Sequence, residues 1–152
     1  MQMIISLTNL MWKDNEHIME NNPHLNILVQ MAQIDGESDE TELELIRQIG
    51  KSENLSDDDI DKIIDTTNHD GGIPSIENLS EKDKLELMTN LILVMKIDGI
   101  IHKNEMQFCL DMIDKIGYDQ DAFYELVSST TNDIQSDKDI QVIRDKAKTL
   151  LG

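Results

Sequence analysis

Aromatic side chains make up only 3% of this 152-residue chain, and there are just 2 prolines and 1 cysteine. A core so poor in rings must be filled by Leu, Ile, Val and the 9 methionines, a composition that leans helical. The lone Cys109 cannot form an internal disulfide, and its apolar register beside Phe108 and Met112 marks it as a buried core thiol. The longest wholly apolar run, residues 91–95, falls far short of the ~20 residues that span a membrane. The amino-terminal stretch MQMIISLTNLMWK lacks the cationic start of a secretory signal, so a cytoplasmic protein with no membrane insertion is expected.

Positive charge is scarce as well. Thirteen basic residues against 31 acidic ones give a formal charge of −18, which argues against binding nucleic acid or an anionic membrane surface. Cationic partners are favoured instead, either metal ions or a basic protein surface, although such a charge also serves solubility alone. The chain has no G-x-S-x-G, P-loop or H-E-x-x-H motif, and His17, His24, His69 and His102 are scattered along it. The run from Asn68 to Gly72 has the composition of a loop. A non-enzymatic protein is the expectation.

What is present is a duplication. Ile34-Asp35-Gly36 and Ile97-Asp98-Gly99 each close an apolar helical run and precede a glutamate, Glu42 or Glu105. Residues 28–64 align with 91–127 without a gap, and apolar character persists where identity is lost, as in Met31/Val94, Leu45/Phe108 and Ile63/Leu126. Self-similarity at a fixed offset means one supersecondary unit used twice, and two copies suit one pseudo-symmetric domain rather than a solenoid.

The spacing predicts an all-α, compact single domain of about eight helices over residues 1–152. An extra amino-terminal helix occupies 1–22, where Ile4, Leu7, Leu10, Met11 and Ile18 recur helically until Pro23. Repeat 1 covers 24–65 and repeat 2 covers 80–128. A breaker-rich connector at 66–79 separates them, and Ser136 caps a last helix over 136–151. Within the repeats, Asp39 with Glu42 forms a D-x-x-E capping box, while Ser56 and Ser80 head further helices.

Asp35 and Asp98 stand at carboxy-terminal helix ends, where the dipole disfavours an anion. In the structural reading each bonds the free amides of its own turn, glycine takes the left-handed conformation, and the glutamate caps the following helix. In the functional reading Asp35, Glu42, Asp98 and Glu105 meet and hold a divalent cation, Ca²⁺ or Mg²⁺ ahead of Zn²⁺ or Mn²⁺. His102 could add an imidazole and shift the choice toward a transition metal, although a histidine in such a turn is more commonly a solvated side chain. An EF-hand is excluded, because its first and third ligand positions fall on Met31 and Gln33 in one copy and on Val94 and Lys96 in the other.

The doubled pattern, clearest in IDGESDETELELI and IDGIIHKNEMQF, resembles the TerB-like tellurite-resistance family over about residues 24–128. The resemblance implies a cytoplasmic, all-helical fold of two pseudo-symmetric repeats, associated with resistance to tellurium compounds and other chemical stress. It also implies suspected metal binding by the repeated acids, here Asp35, Glu42, Asp98 and Glu105. The chain departs from the pattern at Ile34 and Ile97, where a small residue is usual, at Glu40 and Lys103, where proline is usual, and at His102, in place of a capping side chain. Three functions follow as expectations: a stress-response protein whose acidic turns bind a cation or regulate a partner, an acidic module docking a basic protein partner with structural turns only, and an acidic mimic of nucleic acid.

Overall fold

A computed structural model describes residues 22–34, 39–67 and 72–152. The extra amino-terminal helix expected over 1–22 lies, but for Asn22, outside the described residues, as do Asp35 and residues 68–71 of the connector. Among the described residues there are seven α-helices and no strand. They are α1 (Pro23–Ala32), α2 (Glu40–Ser52), α3 (Asp57–Thr66), α4 (Glu81–Lys96), α5 (Lys103–Ile116), α6 (Gln120–Ser129) and α7 (Asp137–Leu150). None is long and apolar enough to cross a membrane.

Local chemistry sets most of these boundaries. Pro23 opens α1, where its missing N–H costs nothing and its fixed φ suits a helix. The side chains of Asp39, Ser56, Ser80 and Asp119 accept from the amides of Thr41, Asp59, Asp83 and Asp121 and so satisfy first-turn donors. Asp57, Asp58 and Asp59 add negative charge at the positive end of α3. Gly117, at φ 94°, ends α5 in the left-handed conformation that a β-carbon disfavours. Ser136 departs from expectation: it is the N-cap residue of α7, but its hydroxyl makes no capping bond, and Asp139 instead accepts from the Gln135 amide at 2.9 Å.

Two helices form the centre. All of α1 is buried, as is α4 from Leu87 to Lys96, and the two pack on each other. Around this pair, α2 and α3 cover α1, while α5 and α7 cover α4. Contacts also run crosswise, from α2 to α4 and from α1 to α5, and α6 packs between α5 and α7. Leu28, Met31, Ile46, Ile60, Leu91, Ile113 and Phe123 are among the fully buried side chains of the single apolar core. Gly50 lets α2 approach α3 closely, because a β-carbon there would stand 2.8 Å from Ile60 Cδ1. Cys109 is sealed in this core with its thiol 3.6 Å from Met31 Sδ, and burial pushes its pKa far above the ordinary thiol range.

A helix buried on every side must also bury its polar residues, and these need partners. Gln30 donates to Asn26 Oδ1 at 2.8 Å and to the Gly72 carbonyl at 2.7 Å, and Asn26 donates to Thr67 Oγ1 at 3.2 Å. At the far end of α4, the fully buried Lys96 donates to the Val127 carbonyl at 2.6 Å and to the Thr130 carbonyl at 3.0 Å. It thus satisfies carbonyls at the end of α6 and sets a cation at the negative end of that helix. Desolvation lowers its pKa to about 8.

Candidate functional site

The turn after α4 begins where Gly99, at φ 83°, donates its amide to the Lys96 carbonyl at 2.9 Å. Asp98 Oδ1 accepts from the Ile100 amide at 3.0 Å, so this aspartate bonds its own turn. Its other oxygen, Oδ2, lies 3.1 Å from His102 Nε2. His102 is the N-cap of α5 but gives no side-chain capping bond, and the four-residue spacing turns it back toward Asp98 instead. On the first turn of α5, Glu105 has a carboxylate oxygen 3.9 Å from the same imidazole nitrogen.

A residue from the first repeat joins the group. Glu42, on the first turn of α2, is only 3% exposed. One ligand-capable atom each from Glu42, Asp98 and His102 falls within 4.8 Å of the others. The α2–α4 packing produces this meeting, since it brings the start of α2 to the end of α4. Glu105 is 2% exposed, and both of its carboxylate oxygens are sealed from solvent. Side-chain exposure is 10% for Asp98 and 41% for His102, so the histidine is the solvent-facing wall of the group.

The structure therefore brings Glu42, Asp98 and Glu105 around His102, while Asp35 lies outside the described residues. The histidine is not simply a solvated side chain, because it stands between carboxylates. Carboxylates gathered beside an imidazole, two of them buried, make a place that suits a cation, since like charges out of water are costly unless one offsets them. An imidazole nitrogen with carboxylate oxygens is a donor set suited to Mn²⁺ or Zn²⁺.

No protein-family model, curated protein or solved structure matches this chain.

A second polar group lies about 12 Å back along α4, at 1.5 Å per residue from Asp98 to Asn90. His24 Nε2 is 2.8 Å from Asn90 Nδ2, and Asn90 Oδ1 accepts from Arg144 at 3.0 Å. On the other side, His24 Nδ1 faces Glu53 Oε1 at 3.6 Å. Burial, with a smaller opposing effect from Asp83, lowers the His24 pKa to about 4 and keeps the ring neutral. Burial first, then Glu86 and Asp83, raises Glu53 to about 7. Sequence reading passed over this chain of contacts, although His24, Asn26 and Gln30 in a wholly buried helix were its signal.

Proposed function

We propose that this chain is a non-enzymatic, TerB-like stress-response protein of the kind associated with tellurite resistance, and that its acidic turn binds a divalent cation. What carries the proposal is the convergence of Glu42, Asp98 and His102 donor atoms within 4.8 Å, from helices far apart in sequence. The duplicated sequence supports the TerB-like part, and so does the crosswise packing of α2 on α4 and α1 on α5, as expected of two units paired about a pseudo-two-fold axis.

The donor set favours Mn²⁺ or Zn²⁺ over Ca²⁺, because an imidazole takes part. Two donors held ~2.0–2.1 Å from one tetrahedral ion stand roughly 3.3 Å apart. His102 Nε2 and Asp98 Oδ2, at 3.1 Å, need little rearrangement to share one. Glu42 would supply the third ligand after a small side-chain movement, with Glu105, 3.9 Å from the same imidazole nitrogen, adding negative charge beside the ion.

Calorimetric titration with Mn²⁺, Zn²⁺, Ca²⁺ and Mg²⁺ tests the assignment. The unaltered protein should bind one Mn²⁺ or Zn²⁺ more tightly than Ca²⁺ or Mg²⁺, and Glu42→Gln, Asp98→Asn and His102→Gln should each weaken it at least about tenfold. Asp35→Asn belongs in the same series, as its position in the repeat matches Asp98. Equal heats from all the proteins would remove the turn as a ligand set. They would favour the second reading, an acidic module that docks a basic partner, which has one observation in its support: Ile100, in this same turn, is 62% exposed.

A further inference from the structure

Basic residues are outnumbered 13 to 31, yet Lys82, Arg144 and Lys148 line one cleft between the first half of α4 and α7. Its volume is about 250 Å³, and Leu85 and Thr89 contribute to the wall that α4 provides. This is below the ~300–1,000 Å³ of pockets for drug-sized molecules, so a ligand here is small. Lys82 and Lys148 are exposed and form no ion pair among the described residues. Arg144 is half-buried.

The guanidinium is anchored from behind. Asn90 accepts from it at 3.0 Å and is itself fixed, because its amide nitrogen donates to His24 Nε2 at 2.8 Å. A neutral imidazole is what this arrangement requires: Nε2 accepts from Asn90, leaving the Asn90 oxygen for Arg144. An arginine held by one N–H presents the remaining donors of its planar fork at little further entropic cost. Flanked by two mobile ammonium groups, such a fork matches the tetrahedral oxygens and double charge of a phosphate group.

The −18 charge of the chain opposes any anion at long range, but screening confines that effect to a Debye length of ~8 Å in physiological salt. Within that distance the lining of the cleft carries three cations against one carboxylate, Glu86. The same global charge rejects polyanions such as nucleic acid, whose many phosphates would meet the acidic surface around the cleft. Glu86 also lines the cleft and offers an acceptor for a hydroxyl group. From this arrangement we infer that the α4–α7 cleft binds a small phosphomonoester bearing a hydroxyl, with Arg144 making the forked contact and Lys82 and Lys148 adding charge.

Titration of the full chain with inorganic phosphate and with glycerol 3-phosphate, at matched ionic strength and followed by amide chemical shifts, tests this. Saturable shifts at Thr89, Gln141 and Arg144 are expected, with glycerol 3-phosphate the tighter of the two. Arg144→Lys keeps the charge but not the fork and should weaken binding about tenfold. Lys82→Gln and Lys148→Gln, both at exposed positions that leave the fold intact, should each weaken it about threefold. Lys138→Gln, at another exposed site on α7, should change nothing. Absence of saturation by about 20 mM of either probe overturns the site, as does equal binding by Arg144→Lys or equal weakening by Lys138→Gln. Inorganic phosphate binding as tightly as glycerol 3-phosphate would overturn the monoester assignment.

Discussion

The two described histidines show how one side chain serves two purposes in a single helical domain. His24 is buried, with Asn90 on one nitrogen and Glu53 toward the other, and burial keeps it neutral. His102 stands half in solvent among Asp98, Glu105 and Glu42, with negative charge in excess around it. The first environment is a chain of complementary donors and acceptors, which ties α4 to α1 on one side and to α7 on the other. The second concentrates charge of one sign, an arrangement poised for a cation rather than for rigidity. A polar group in a core stabilises when its partners are complete, and it becomes a binding group when they are alike.

Several substitutions should sharpen or break this contrast. The largest effect is expected from Asn90→Leu, which orphans the buried His24 nitrogen and the inner side of Arg144 together. It should cost about 3–5 kcal/mol in urea unfolding, whereas Asp98→Asn without metal should cost below about 1 kcal/mol. Comparable losses would erase the distinction between the two regions. Next, Mn²⁺ or Zn²⁺ at a hundredfold excess over its dissociation constant should add about 2.7 kcal/mol to stability. That gain should vanish in Glu42→Gln and Asp98→Asn, as read by the shift in thermal midpoint.

Acidity separates the regions further. His24, lowered from 6.5 to about 4, contributes stability that is complete above pH 6.5 and lost as pH falls toward 4. Glu53, raised from 4.5 to about 7, works oppositely, with its contribution complete below pH 4.5 and lost as pH rises through 7. Between pH 4.5 and 6.5 the folded protein holds its proton on Glu53 and the unfolded chain on His24, so the pair leaves stability nearly flat. Glu53→Gln should unmask the histidine: stability should then rise between pH 4 and 6.5 by about 2–3 kcal/mol, as the lowering of the buried imidazole from 6.5 to about 4 implies. A flat profile in that variant would count against a buried neutral His24. Smaller again, Gly99→Ala should cost about 1 kcal/mol, purely through its left-handed backbone, since its β-carbon would come no nearer than 3.9 Å to Asn132 O.

Much of the all-helical architecture was legible because its signals are local. Apolar spacing and the caps Asp39, Ser56 and Ser80 identify their helices within a few residues of sequence. Ser136 shows the limit of that logic, because it heads α7 without a side-chain capping bond, while Asp139 reaches back to the Gln135 amide outside the helix. The left-handed Gly99 and the Asp98 bond to its own turn also follow from a few adjacent residues. The meeting of Glu42 with Asp98 depends instead on how α2 crosses the end of α4, and no local pattern encodes a crossing. The basic cleft is harder still to foresee, since Lys82 and Lys148 reach it from opposite ends of the second half of the chain.

The burial of Cys109 beside Met31 has an experimental use. As the only thiol in the sequence and wholly shut off from solvent, it can meet a reagent only when α1 and α5 part. The rate of its capture by a disulfide reagent is therefore a clock for opening of the core. Run with and without Mn²⁺, and with and without glycerol 3-phosphate, this clock would report whether an occupant of either region slows the opening of the whole molecule or steadies only the part it touches.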